Sequence, residues 1–180
     1  MAAVAKKSTA IVLSMRDLRA VARYAAGSAQ DVLEIFERAH PADCRPRDAI
    51  DAAWTFARGG KRGKALRDTA WAALKAARDA DTAAAGAAAR AAMCAASAAY
   101  LHPLADAHQV KHILGAAAYA ARAAELRTGE GRDVGHLVQA RRRAGRNVVD
   151  VLRRYPAAPS GGGRVGELLR HLDEALRGRF

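Results

Sequence analysis

The chain has 180 residues, enough for one core-forming domain, and its 51% hydrophobic content overstates the apolar bulk because 48 residues are alanine. Lysine and arginine number 30 against 18 acidic residues, and the net charge of +12 points to anionic partners: an acidic protein, a nucleic acid or an anionic small molecule. Cys44 and Cys94 lack CxxC spacing and no apolar run reaches membrane-spanning length, so composition excludes a disulfide scaffold and a membrane span.

Nothing in the first residues reads as a secretory leader, and a cytoplasmic protein with reduced thiols is the expectation, a Cys44 to Cys94 bridge staying open. Residues 1–13 read as a flexible tail ending in the apolar anchor Ile11-Val12-Leu13. Ser14 and Asp17 then form a capping-box-like start for a helix over 15–39. Leu18, Val21, Ala22, Ala25, Val32, Leu33 and Phe36 recur on its inner face, and Gly27-Ser28 offers a bend. Pro41 and Pro46 punctuate the chain before a second helix over 47–58, which sets Ile50, Ala53, Trp54 and Ala57 on one face and stops at Gly59-Gly60. A third helix over 63–80 turns Leu66, Ala70, Ala73, Leu74 and Ala77 inward.

Asp81-Thr82 caps a fourth helix over 83–101. Alanine on nearly every face gives that helix a central position. Its partner is a fifth helix over 104–127, opened by Pro103 and able to approach closely at Gly115-Ala116-Ala117-Ala118. After a loop at 128–132, a sixth helix over 133–155 segregates Val134, Leu137, Val138, Ala144, Val148, Val149, Val151, Leu152 and Tyr155 from Arg142, Arg143, Arg146, Arg153 and Arg154. Residues 156–163 form a Pro/Gly linker, and a C-terminal helix over 164–177 packs Val165, Leu168, Leu169, Leu172 and Leu176 onto the 14–155 helical domain. The fold class is therefore all-α: one compact bundle of six to seven helices around an alanine-rich central pair. Bulk in the core is assigned to Trp54, Trp71, Phe36, Phe56, Tyr100 and Tyr119.

Histidines cluster in one place. His108 and His112 stand at i and i+4, the spacing of a zinc-binding helix, with His102, Asp106 and His136 as possible third ligands. Gln109 sits where a zincin protease carries its glutamate base, and an amide cannot take that proton. The opposing reading makes these histidines packing residues or pocket liners, and no metal or cofactor is assigned. His102 and Asp106 form a second i, i+4 pair, readable as a base with its orienter or as a helix cap, and no nucleophile motif stands beside it. The arginine arc of the sixth helix suits phosphate contacts, although Asp150 lies within it and no nucleic-acid-binding signature accompanies it. Glycines at 59–63 and 160–166 lack P-loop order and read as turns.

Asp17-Leu18-Arg19, Val32-Leu33 with Phe36-Glu37, Arg45-Pro46-Arg47 with Ala49-Ile50, and Lys64-Ala65-Leu66-Arg67 form a recognisable set. Together with Leu101-His102-Pro103-Leu104-Ala105 and Gln109-Val110-Lys111-His112-Ile113-Leu114-Gly115, they resemble the Imm-5-like family of bacterial immunity proteins. The resemblance covers about 15–127 as a core, and 149–177 is similar to longer members. It implies an all-helical, non-enzymatic protein that binds and neutralises a cognate toxin, with no catalytic residues to carry over.

Three functional readings stay open. A toxin-neutralising module requires a complementary exposed patch. A small-molecule or antibiotic-sequestering resistance protein requires a pocket, lined by Trp54, Trp71, Tyr100, His108, His112 and Tyr119, and His102, Asp106 and Gln109 join these as ligand- or partner-binding residues. A nucleic-acid binder would work through Arg142, Arg143, Arg146, Arg153 and Arg154.

Overall fold

Capping chemistry starts the first helix. In the computed structural model, which describes residues 10–129 and 134–179, Ser14 Oγ accepts from the Asp17 N–H at 3.1 Å while the Asp17 carboxylate accepts from the Ser14 N–H at 3.0 Å. Helix α1 follows over Met15–Gln30. Ahead of it, Ile11 and Leu13 pack against the core and Val12 faces solvent; residues 1–9 of the tail lie outside the described residues.

Eight further helices follow among the described residues: α2 (Leu33–Ala39), α3 (Arg45–Ala57), α4 (Lys64–Asp79), α5 (Ala83–Ser97), α6 (Val110–Thr128), α7 (Val134–Arg143), α8 (Arg146–Arg153) and α9 (Gly163–Arg177). Short 3-10 turns occupy Ala98–Tyr100 and Ala107–Gln109, and a single isolated bridge pairs Ala10 with Leu104. None of the described helices is long and apolar enough to cross a membrane. The all-α class expected from the sequence is what the chain adopts.

α5 is the hub. Thr82 caps it by accepting from the Ala85 N–H at 3.1 Å, and α4 and α6 flank it while α1, α2 and α3 also touch it. Its alanines are buried on several faces, so neighbouring backbones come close. Gly115 of α6 shows how close: a Cβ there would stand 3.2 Å from Cys94 Sγ of α5. Gly86 of α5 similarly faces the Ala77 carbonyl of α4, at 3.1 Å from where its Cβ would lie.

α9 is held by charge as well as by leucines. Glu125 of α6 is buried, and it accepts from Arg164 Nε at 3.1 Å and Arg122 Nη1 at 3.2 Å. Buried Asp173 accepts from the Ala158 N–H and from Arg177 Nε, each at 2.8 Å, fixing the connection ahead of α9. Within that connection Gly161 and Gly162 hold φ of 84° and 76°, a left-handed backbone suited to glycine.

The chain departs from the sequence expectation at several places, and among the described residues nine helices stand where six or seven are expected. The first break falls at Asp31-Val32 instead of Gly27-Ser28. Gly27 stays helical and buried because Arg143 crosses it, a Cβ there lying 2.8 Å from Arg143 Nε, to pair bidentately with Asp31 at 2.7 and 3.0 Å. The helix expected over 133–155 is two, separated at Ala144-Gly145, where Gly145 becomes the N-cap of α8. Residues 130–132 of the expected loop, Asp133 at the expected start of that helix and the Val134 side chain lie outside the described residues. The fifth helix starts at Val110, not 104, because Pro103 and Leu104 are engaged by the N-terminal segment through Ile11 N–H to Pro103 O at 2.8 Å and the Ala10 bridge. Trp71 is 70% exposed and contributes no core bulk, whereas Tyr24 is fully buried.

Replacing Gly115 by leucine should force α5 and α6 apart. We expect a loss of about 1–3 kcal/mol in urea unfolding, as for other overpacked cores. Unchanged stability would show that the pair is not closely packed there.

Candidate functional site

Two clefts and one exposed aromatic face gather the residues with chemical potential. The larger cleft, about 600 Å³, opens between α1, the end of α3 and the α7–α8 junction. Arg16, Arg19, Arg23 and Tyr24 reach it from α1, at spacings that put them on one helical face. Trp54 comes from α3, Arg143 from the end of α7 and Arg146 from the start of α8. Arg19 Nη2 donates to the Gly59 carbonyl at 3.0 Å and Arg23 Nη2 to the Ala57 carbonyl at 3.4 Å.

The second cleft, about 350 Å³, lies between α5, α6 and the glycine-containing connection before α9. His108, His112 and Tyr119 line it together with Lys111, Cys94 and Ser97. His112 Nδ1 lies 3.1 Å from the Ser97 carbonyl, which can only accept, so Nδ1 carries the proton and Nε2 is left as an acceptor in the neutral ring. Burial pulls the His112 imidazole below its ordinary range, against the opposing effect of the Ser97 carbonyl. His108 is exposed, with Nδ1 2.9 Å from Asp106 Oδ1. Burial pushes the Cys94 thiol up to about 12, with Arg90 and Lys111 opposing, so this cysteine stays protonated and unreactive at neutral pH. Both Cys94 and exposed Cys44 are free thiols.

The residues assigned to one pocket are therefore divided. His108, His112 and Tyr119 share the second cleft; Trp54 belongs to the arginine cleft; Tyr100 and His102 line a separate surface depression. Trp71 stands exposed on α4. The His102 and Asp106 pair is not on a helix: Asp106 caps the following 3-10 turn by accepting from the His108 N–H at 2.8 Å. The His102 N–H donates to Gln109 Oε1 at 2.8 Å, and its carbonyl accepts from the Tyr155 hydroxyl at 2.8 Å. No group of three or more His, Cys, Asp or Glu suited to a metal occurs among the described residues.

The arginine arc is also dispersed. Arg143 pairs with Asp31, Arg153 Nη2 donates to the Arg177 carbonyl at 2.7 Å, and Arg154 Nη1 binds the Val12 carbonyl and Asp17 at 2.8 and 2.9 Å. Arg142 and Arg146 are exposed. Sequence reasoning missed the cleft face of α1. The signal was there in Arg16, Arg19 and Arg23 at i, i+3 and i+7, and it resembled an ordinary solvated stripe.

A family described as Imm-5 like putative immunity protein matches residues 12–147. No curated protein and no solved structure matches the chain.

His112 should give the fold a pH dependence. Its folded-state pKa lies below the unfolded value of 6.5, so its contribution is complete above about pH 6.5 and declines as pH falls, when the unfolded chain gains a proton that the folded chain refuses. Melting temperature measured from pH 7.5 to 5 should fall less steeply in His112→Asn than in the parent; identical slopes would show that His112 is solvated.

Proposed function

The chain belongs to the Imm-5-like immunity protein family, and from that premise we propose that it neutralises a cognate toxin by stoichiometric, non-catalytic binding. The observation carrying this reading is the extent of the match: residues 12–147 include α1 through α7 and the start of α8. Binding alone suffices for immunity when the complex covers the toxin's active surface or prevents its entry into the competent conformation.

We assign the contact surface to the outer face of α4. The opposite face of this helix packs on α3 and α5, leaving Lys64, Arg67, Trp71, Lys75 and Arg78 exposed. Trp71 is the aromatic among the exposed large hydrophobic residues, and an indole left in water forfeits the burial free energy it gains at an interface. Beside it, Arg62 and Arg67 stand over the Tyr100 ring at 5.7 and 5.9 Å. Tryptophan, tyrosine and arginine are the residues that most often dominate binding energy. Their charge commits the partner to an acidic surface with an apolar socket for the indole. The dispersal of Arg143, Arg153 and Arg154 onto intramolecular acceptors favours this protein partner over nucleic acid.

Co-expression with a toxin encoded by a gene adjoining its own tests the reading. The parent chain should protect cells, and Trp71→Ala with Arg67→Ala should weaken the complex about 30-fold or more in calorimetry. Because both side chains are exposed, the melting temperature should hardly move. Full protection by the double variant would place the contact elsewhere, and no protection by the parent would sink the immunity function.

A further inference from the structure

The arginine cleft carries an inference separate from toxin binding. Five arginines and no carboxylate line it: Arg16, Arg19, Arg23, Arg143 and Arg146. Asp31 neutralises Arg143, whereas the carbonyl acceptors of Arg19 and Arg23 position those guanidinium groups without cancelling their charge. Like charges crowded around a concave space repel one another, and an anion in that space relieves the repulsion.

Two further features point inward to a ligand. Tyr24 Oη and Arg19 Nε are the buried side-chain polar atoms among the described residues that have no hydrogen-bond partner, and both belong to residues lining this one cleft. Leaving such an atom buried and unsatisfied is costly, and native structures rarely do so without a reason. Burial raises the Tyr24 phenol far above its ordinary range, with Arg143 nearby opposing, so the group remains a donor at every physiological pH. The second feature is the start of α8. Gly145, Arg146 and Asn147 line the cleft, Gly145 is the N-cap, and no side chain caps this helix. The positive end of its dipole therefore favours an anion in the cleft.

All of these groups donate or carry positive charge. A ligand that satisfies them must be rich in acceptor oxygens and multiply anionic, which describes a phosphoryl group held by arginines. The cleft volume of about 600 Å³ exceeds what a bare ion needs, and half-buried Trp54 supplies an apolar wall. We propose that the cleft binds a small molecule bearing one or more phosphate groups, its oxygens meeting the arginines, the Tyr24 hydroxyl and the α8 N-terminus while its organic part lies against Trp54.

Calorimetry on the full chain at physiological ionic strength tests this, using pyrophosphate, ATP and adenosine as probes. Pyrophosphate and ATP should bind and raise the melting temperature, and adenosine should not. Arg16→Gln combined with Arg146→Gln should weaken ATP binding about tenfold or more, since both side chains are exposed and their loss spares the core. Tyr24→Phe should weaken it about tenfold while leaving the ligand-free melting temperature unchanged or higher, because the variant removes an unsatisfied group. Trp71→Ala should bind ATP as the parent does, which separates this site from the toxin surface. Absence of binding to both phosphates at millimolar concentration would overturn the proposal, as would ATP affinity unchanged in the Arg16/Arg146 and Tyr24 variants. A lower ligand-free melting temperature in Tyr24→Phe would overturn the role of the hydroxyl. Tighter, arginine-dependent binding of a short single-stranded DNA would replace the small molecule with nucleic acid.

Discussion

Close approach at α5 is the constraint on which the rest of the bundle depends. Leucine-sized contacts hold helix axes well apart, and alanine or glycine contacts let backbones nearly touch. Gly115 against Cys94, and Gly86 against the Ala77 carbonyl, fix α6 and α4 at that short distance. With α1, α2 and α3 also touching α5, five helices share one small-residue hub. Larger side chains are then pushed outward to second contacts, such as Tyr24, Phe36 and Phe56, or to the leucines of α9. The arginine cleft lies along this periphery, where the ends of α1 and α3 meet the α7–α8 junction.

Much of the basic charge is structural. Arg62 donates to the Ala99 carbonyl, Arg154 to Val12, Arg177 to Tyr155 and Pro156, and Arg170 to Pro159 and Gly161. A guanidinium carries five donors on a rigid fork and can tie two loop carbonyls that lack helical partners. In a chain whose core offers little bulk, such ties define how connections and helix ends lie. Net charge of +12 thus overstates the surface available to an anionic polymer, and two of the acids that arginine meets, Glu125 and Asp173, are buried within the fold.

What could be read from the sequence was local. The Ser14/Asp17 capping box, the Thr82 cap, the Gly59 stop and the central placement of α5 all follow from neighbours within one or two helical turns. What could not be read was set by partners far along the chain. Asp31 ends α1 where Arg143 seizes its carboxylate, across 112 positions, and no glycine or proline marks the place. Periodicity favoured an unbroken helix through Ala144-Gly145, yet Gly145 breaks it while the apolar arc continues on both sides. His102 and Asp106 have helical spacing but are drawn off by Tyr155, Gln109 and the N-terminal segment. The arginine cleft needed three separate parts of the chain to converge: Trp54, Arg143 and Arg146 stood out in the sequence for other reasons, and the stripe of Arg16, Arg19 and Arg23 did not.

The alanine hub also shapes how this protein responds to heat and cold. The heat-capacity change of unfolding scales with the apolar surface that unfolding exposes, and each buried alanine contributes little. Chains of the same length with leucine and valine in those positions hide far more apolar surface. Curvature of stability against temperature follows the heat-capacity change, so this chain has a shallower dome. Its stability bends less with temperature than its length alone implies.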